Sequence, residues 1–311
     1  MEIRVLPIVE PGPSRTGEGL LFQEQCFAFL NEDKGFELLR FEFHEGGERQ
    51  ALLAINFGRK GNELYSPFSA PFGGFAPKKI DLSIEYYDAA AQALKKYVEK
   101  EKIGGVNITL PADCYQSNSV PNQVFSLLSA GFELKYTDVN YSLHLNERDF
   151  EQGLKKIARR CLKVAENEGL EFIKCESEEQ CLSAYQVIAA NREQKGYPLK
   201  MSFESLLKVS EITEVDFFCI KKDDLILAGA VIFHISDSIG QVVYWGNDTN
   251  YNRLNPTHFL AKSLSEYYSG VFNVLDIGPS SDNGRPNIGL CRFKESIGCK
   301  TSVKHTLELK R

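Results

Sequence analysis

The end of this chain repeats a stretch from its middle. Thr137, Val139, Ser142, Leu143 and Leu145 match Thr301, Val303, Thr306, Leu307 and Leu309 at identical spacing, and just upstream Ser129 and Gly131 match Ser296 and Gly298 after a short gap. In both places a helix-periodic run gives way to a glycine and then to an alternating strand, so the match falls in one structural slot of each half. Self-similarity of this kind points to a duplicated unit. At 311 residues the chain also exceeds the size at which one hydrophobic core keeps growing. The expected domains are residues 1–146 and 147–311, two copies of one α/β unit.

The element pattern of each half is mixed. Glu37 to His44 and Gln50 to Phe57 read as a hairpin around Gly46-Gly47. Ile84, Tyr87, Ala91, Leu94 and Val98 form one apolar helix stripe; Val106, Ile108 and Leu110 alternate as a strand, and a short helix from about Pro121 to Ala130 stops at Gly131. A long helix from about Arg148 to Glu168 is expected to bury Phe150, Leu154, Ile157, Cys161 and Val164 and to join the halves. Ser177-Glu178-Glu179-Gln180 is a capping box opening a helix that Gly196-Tyr197-Pro198 ends. Strands near 215–220, 225–233 and 241–245 follow, then a helix from Pro256, a strand at 272–277, a helix at 286–297 and a last strand.

Composition excludes several classes of function. With 43% hydrophobic and 25% charged residues the chain is globular in type. A formal charge of -6 gives no global attraction to nucleic acid or anionic lipid. The longest apolar run, Leu225 to Phe233, is too short to span a bilayer, and the opening Met1-Glu2-Ile3-Arg4 lacks a signal-type apolar region, so a cytoplasmic location is expected. The eight cysteines show no CxxC, and no histidines are spaced as metal ligands; reduced thiols and no metal are expected.

Particular residues carry a likeness to a known family. They are Ser66-Pro67-Phe68 with Gly73-Gly74 in the first half, and in the second Asp276-Ile277-Gly278-Pro279-Ser280, Asn287-Ile288-Gly289-Leu290 and Phe293-Lys294-Glu295 with Gly298. In this order they resemble the tandem GNAT arrangement of the Fem-type acyl and aminoacyl transferases and their acetyltransferase relatives of bacterial envelope biosynthesis. The resemblance covers nearly the whole chain. It implies two GNAT-like domains and transfer of an acyl group from acetyl-CoA or another acyl-CoA to an amine on an envelope precursor or amino sugar. Aminoacyl-tRNA as donor is the alternative, which the acidic composition disfavours. A further alternative is an inactive GNAT pair that only binds. The stretch Gly246 to Pro256 departs from the glycine-rich turn with which GNAT enzymes cradle a pyrophosphate, since its one glycine stands at its start.

Among candidate site residues, Lys294 stands out because Leu290, Phe293 and Ile297 surround it on one helix face. Its charge can hold a phosphate or steady an oxyanion, or its stem can cover the core edge while its head reaches water. Asp276, in an apolar strand leading to a polar loop, is a candidate base or a loop anchor. Ser280 and Asn287 are candidates for substrate hydrogen bonds. Arg192, Lys195 and Lys200 flank a helix break, and Gly73-Gly74 permits close approach of a ligand or makes a plain turn. Lys155, Lys156, Arg159, Arg160 and Lys163 form a basic helix face, read as solvated or as contacting a phosphorylated substrate. His234 and His258 are expected in core or surface roles.

Overall fold

The computed structural model describes residues 1–10, 15, 17, 19–79, 81–116, 118–147 and 149–310. It is a mixed α/β chain that divides into two compact units: Met1–Val139 with Ser281–Arg285 and Ser302–Arg311, and Asn140–Ser280 with Pro286–Thr301.

In the first unit the strands β1 (Glu2–Pro7), β2 (Glu37–His44), β3 (Leu53–Lys60) and β4 (Glu63–Ser66) run as an antiparallel meander. Helix α1 (Ile84–Lys100) then leads to β5 (Gly105–Thr109), parallel to β4, and α2 (Ser119–Ser129) leads to β6 (Glu133–His144). The α1 stripe expected from sequence is found except at its first residue, Ile84, which is exposed at the helix start. Tyr87, Ala91, Leu94 and Val98 are buried against Phe41, Phe57 and Leu64, with Leu127 of α2 in the same cluster. The chain's last strand returns antiparallel to β5, and its Leu307 is fully buried in this core. That burial is worth about 1.5–3 kcal/mol.

The second unit begins with residues Asn140–His144 of β6. Two helices follow, α3 (Phe150–Gly153) and α4 (Lys156–Asn167), then β7 (Glu171–Lys174), α5 (Glu178–Gln194) and α6 (Phe203–Ser210). A meander of β8 (Val215–Lys222), β9 (Leu225–Ser236) and β10 (Ile239–Asn247) leads to α7 (Pro256–Tyr267), β11 (Val274–Pro279), α8 (Ile288–Ser296) and β12 (Lys300–Lys310). The strands of this unit lie in the order β6, β11, β10, β9, β8, β7, and only β10 and β11 pair in parallel. Leu143 and Leu145 are buried here, with Leu260, Leu264 and Leu275.

Both copies of the repeat end alike. Thr137 and Thr301 fall in strands β6 and β12, the preceding helices end at Ser129 and Ser296, and Gly131 and Gly298 take left-handed φ of 94° and 84°.

One expectation fails in an instructive way. The single helix expected from residue 148, which lies outside the described residues, is two helices, because Leu154 adopts an extended ψ of 132° between them. The turn count restarts at Lys155, so Ala158, Leu162 and Ala165 face the core while Ile157 and Val164 face solvent.

Candidate active site

Strands β10 and β11 pair over three residues only, Ile239↔Val274, Gly240↔Leu275 and Gln241↔Asp276. Both then bulge. Val231 pairs with Tyr244 and Ile232 with Val242, leaving Val243 as the extra residue in β10, while the β6 pairing of β11 skips Ile277. Bulges bend a strand and redirect its side chains. Beyond Gln241 the two strands follow different neighbours, β10 staying with β9 as far as Asn247 and β11 with β6 as far as Pro279. At the opened end lies a cavity of about 480 Å³, lined by Trp245, Gly246 and Asn247 of β10.

Helix α5 forms another wall because two glycines let it approach the sheet. A Cβ on Gly229 would stand 2.7 Å from the Ala184 carbonyl oxygen, and one on Gly246 would stand 3.0 Å from the Asn191 Cβ. The helix is fixed at its start by the predicted capping box, Ser177 Oγ accepting from the Gln180 amide. Its last turn brings Asn191, Arg192 and Lys195 to the cavity. Burial lowers the Arg192 pKa, and the Nε is enclosed with no hydrogen-bond partner among the described residues. Burial and the nearby Arg192 charge lower that of Lys195, whose Nζ donates to Asn191 Oδ1 at 2.9 Å. No Asp or Glu lines the cavity among the described residues. The half-buried Arg192 and the exposed Lys195 thus flank a recess whose lining carries no counter-charge, an arrangement that favours an anionic ligand.

Two helix N-termini open on the same cavity. Asn287 caps α8, its Oδ1 accepting from the Leu290 amide at 3.0 Å, and Asn287, Gly289, Leu290 and Phe293 line the wall. Helix α7 begins at Pro256 after Asn255 in the left-handed region at φ 53°, with Thr257 and His258 at the wall. Their amide ends add positive potential. The His258 ring meets Phe293 edge-on at 5.2 Å, and Trp245 meets Phe293 at 5.8 Å. Burial lowers the pKa of His258, so its imidazole is neutral at pH 7.

The segment from Asn247 to Asn255, part of the stretch at which the resemblance implies a glycine-rich turn, is held by its own side chains. Asp248 Oδ1 accepts from the Asn250 amide at 2.9 Å, and Asn247 Nδ2 donates to the Asp248 carbonyl and to Asn252 Oδ1 at 3.0 and 2.7 Å.

The residues singled out from sequence divide into groups. Arg192 and Asn287 line the cavity. Lys294, Asp276 and Ser280 are buried and are not among its lining residues. The Lys294 Nζ donates to the carbonyl oxygens of Ile277, Gly278 and Pro279 at 3.0, 2.7 and 3.0 Å. Burial pushes its pKa down to about 8, still high enough to keep it charged at pH 7. Asp276 accepts from Asn140 Nδ2, the Gly278 amide and Gln241 Nε2 at 2.7, 3.0 and 2.9 Å. Ser280 Oγ is buried without a hydrogen-bond partner among the described residues. Lys200 is exposed in the loop after α5. Gly73 and Gly74 belong to the first unit, where the Gly73 carbonyl accepts from Gln23 Nε2 and the Gly74 amide donates to Ser66 Oγ. Trp245 and His258 at the wall are not marked as site residues by the sequence, because the packing of β10, α7 and α8 brings them together. Among the described residues no group of three or more His, Cys, Asp or Glu side chains is placed to hold a metal ion, and no helix is long and apolar enough to cross a membrane.

No protein-family model matches the sequence, and no curated protein matches it. Solved structures do match the fold. FemX superposes with a TM-score of 0.69 at 14% identity, covering 100% of this chain and 98% of its own. L-PGS from Bacillus licheniformis gives 0.58 at 12% identity over 94% of this chain and 88% of its own. A tandem GNAT protein from the clavulanic acid biosynthesis pathway gives 0.55 at 8% identity over 99% and 98%. The fold that the resemblance implied is thus the fold found: the chain is built of tandem GNAT-like domains.

Proposed function

We propose that the chain is an N-acyltransferase whose second unit carries the chemistry, moving an acyl group from acetyl-CoA or a related acyl-CoA to an amine on a cell-envelope precursor or amino sugar. The observation that carries this reading is the cavity at the parting of β10 and β11, where Arg192 and Lys195 lack a facing carboxylate and two helix N-termini converge. A phosphate-bearing donor matches that electrostatics. Phe293 and Trp245 offer an apolar wall for its uncharged parts. The agreement in fold with FemX and with a tandem GNAT protein accords with the resemblance drawn from sequence. A cytoplasmic location belongs to the same proposal.

In this reading the acceptor's ammonium first yields a proton to the neutral His258 imidazole. The free amine attacks the thioester carbonyl, the new C–N bond forms, the C–S bond breaks, and the leaving thiolate takes up the proton that the attacking nitrogen sheds as it becomes the amide. No covalent enzyme intermediate is involved. The α8 amide end steadies the negative charge that develops on the carbonyl oxygen, while the α7 end and the two cations face the donor's phosphates. Lys294 acts through the backbone: by gathering three carbonyls it fixes the Ile277–Pro279 segment of β11.

One observation favours an aminoacyl-tRNA donor instead. The segment from Asn247 to Asn255 spends its polar groups on itself, so it offers fewer amides to a pyrophosphate than a glycine-rich turn does. Incubation with radiolabelled acetyl-CoA and a panel of amine-bearing sugars and cell-wall peptides separates the readings. Label on an amine product supports the first. Transfer from aminoacyl-tRNA alone replaces it with the second, and no transfer from either leaves a binding protein.

A further inference from the structure

Helix α4 turns toward solvent a stripe that sequence periodicity assigns to the core. Ile157 is 67% exposed and Val164 43%, seven residues apart on one line of the helix, with the half-buried Cys161 between them. At about 100° per residue, Lys156, Arg160 and Lys163 stand along one flank of that stripe. All three are exposed, and among the described residues none has an ion-pair or hydrogen-bond partner. The neighbouring Arg159 is used differently: its Nη2 donates to the Glu151 and Leu154 carbonyls.

We propose that this face of α4 docks on an anionic lipid surface, with Ile157 and Val164 entering the boundary between headgroups and acyl chains and Lys156, Arg160 and Lys163 meeting the lipid phosphates. The combination is what selects the partner. A nucleic-acid backbone would use the cations and leave the aliphatic pair without a role, whereas a lipid leaflet presents phosphate and hydrocarbon side by side at this spacing. The rest of the molecule works against attraction, since the net charge is -6. Docking is therefore confined to this face, reversible, and weakened by salt. It does not depend on the reading of the cavity.

The test is co-sedimentation of the full chain with vesicles of phosphatidylglycerol and phosphatidylcholine, against phosphatidylcholine alone. Binding is expected only to the anionic vesicles and is expected to fall as salt rises. The double variant Ile157→Ser, Val164→Ser and the triple variant Lys156→Gln, Arg160→Gln, Lys163→Gln should each lower the partition coefficient about tenfold or more, with unchanged melting temperature because every altered side chain is exposed. Absence of binding to anionic vesicles overturns the proposal. So does binding that the serine pair leaves intact, and so does equal binding of the charge face to free tRNA. A concentration-dependent dimer abolished by the serine pair would assign the face to a second copy of the chain and likewise overturn it.

Discussion

The Lys294 Nζ lies 2.7 Å from the carbonyl oxygen of Gly278, and the carbonyls of Ile277 and Pro279 accept its other two hydrogens. All three donors of the ammonium are committed to one turn of backbone at the end of β11. Replacing it with Met keeps the stem and leaves those oxygens without their donor. Lys294→Met is expected to cost about 2–4 kcal/mol of stability, read by urea unfolding. Unchanged stability with lost activity would move the ammonium from backbone support to the reacting atoms.

Asp276 is the counterpart on the strand itself. Its carboxylate accepts from Asn140, Gln241 and the Gly278 amide, and Asp276→Asn turns an acceptor into a donor facing donors. A loss of about 1–3 kcal/mol is expected. If the variant melts like the wild type, the network around β11 is not the anchor described here.

Much of this architecture can be read from the sequence, and the misses have physical causes. The helix, glycine and strand order leading to Thr137 and to Thr301, the α1 stripe from Tyr87 to Val98 and the Ser177–Gln180 capping box are local patterns, and each is found in the structure. The burial of Lys294 was legible from Leu290 and Phe293 around it, but its partners were not, because carbonyls of another element carry no residue-type signature. Periodicity alone gives the wrong phase for α4, because two extended residues, Leu154 and Lys155, restart the helix. Trp245 and His258 come to one cavity wall from β10 and α7, elements whose packing no spacing in the sequence announces. Arg192 and Asn287 were legible because a helix break and a helix cap mark them locally.

His258 gives the account a pH dependence. Its pKa lies below the ordinary 6.5 because burial disfavours the charged ring. As the base it acts when neutral, so kcat/KM should be level near pH 7 and fall about tenfold per unit below that lowered pKa. His258→Gln should lower kcat/KM by about 10²–10⁴ and remove the acid limb. Stability follows the same sign: the unfolded chain takes up this proton first, so the contribution present above pH 6.5 is lost as the pH falls. A variant that retains the acid limb assigns it to another group.

Arg192 and Lys195 should act on binding more than on folding. Arg192→Gln removes a half-buried charge that lacks a facing carboxylate, so stability should hold or rise slightly, while donor Kd rises about tenfold or more. The same change removes a like charge from beside Lys195 and should raise the pKa of that lysine. Titration of the two proteins with the donor at low and high salt checks this, the wild type losing more affinity to salt than the variant. Equal salt dependence would detach Arg192 from the donor phosphate.

Calorimetric titration of acetyl-CoA into the wild type and into Arg192→Gln and Phe293→Ala tests the donor-binding cavity most directly. Saturable one-to-one binding is expected for the wild type, with affinity reduced about tenfold or more in both variants, at unchanged melting temperature for Arg192→Gln and at a lowered one for Phe293→Ala, whose ring packs on Trp245 and His258. No heat of binding at millimolar acetyl-CoA, or binding that neither variant weakens, would contradict the assignment of the cavity to an acyl-CoA donor.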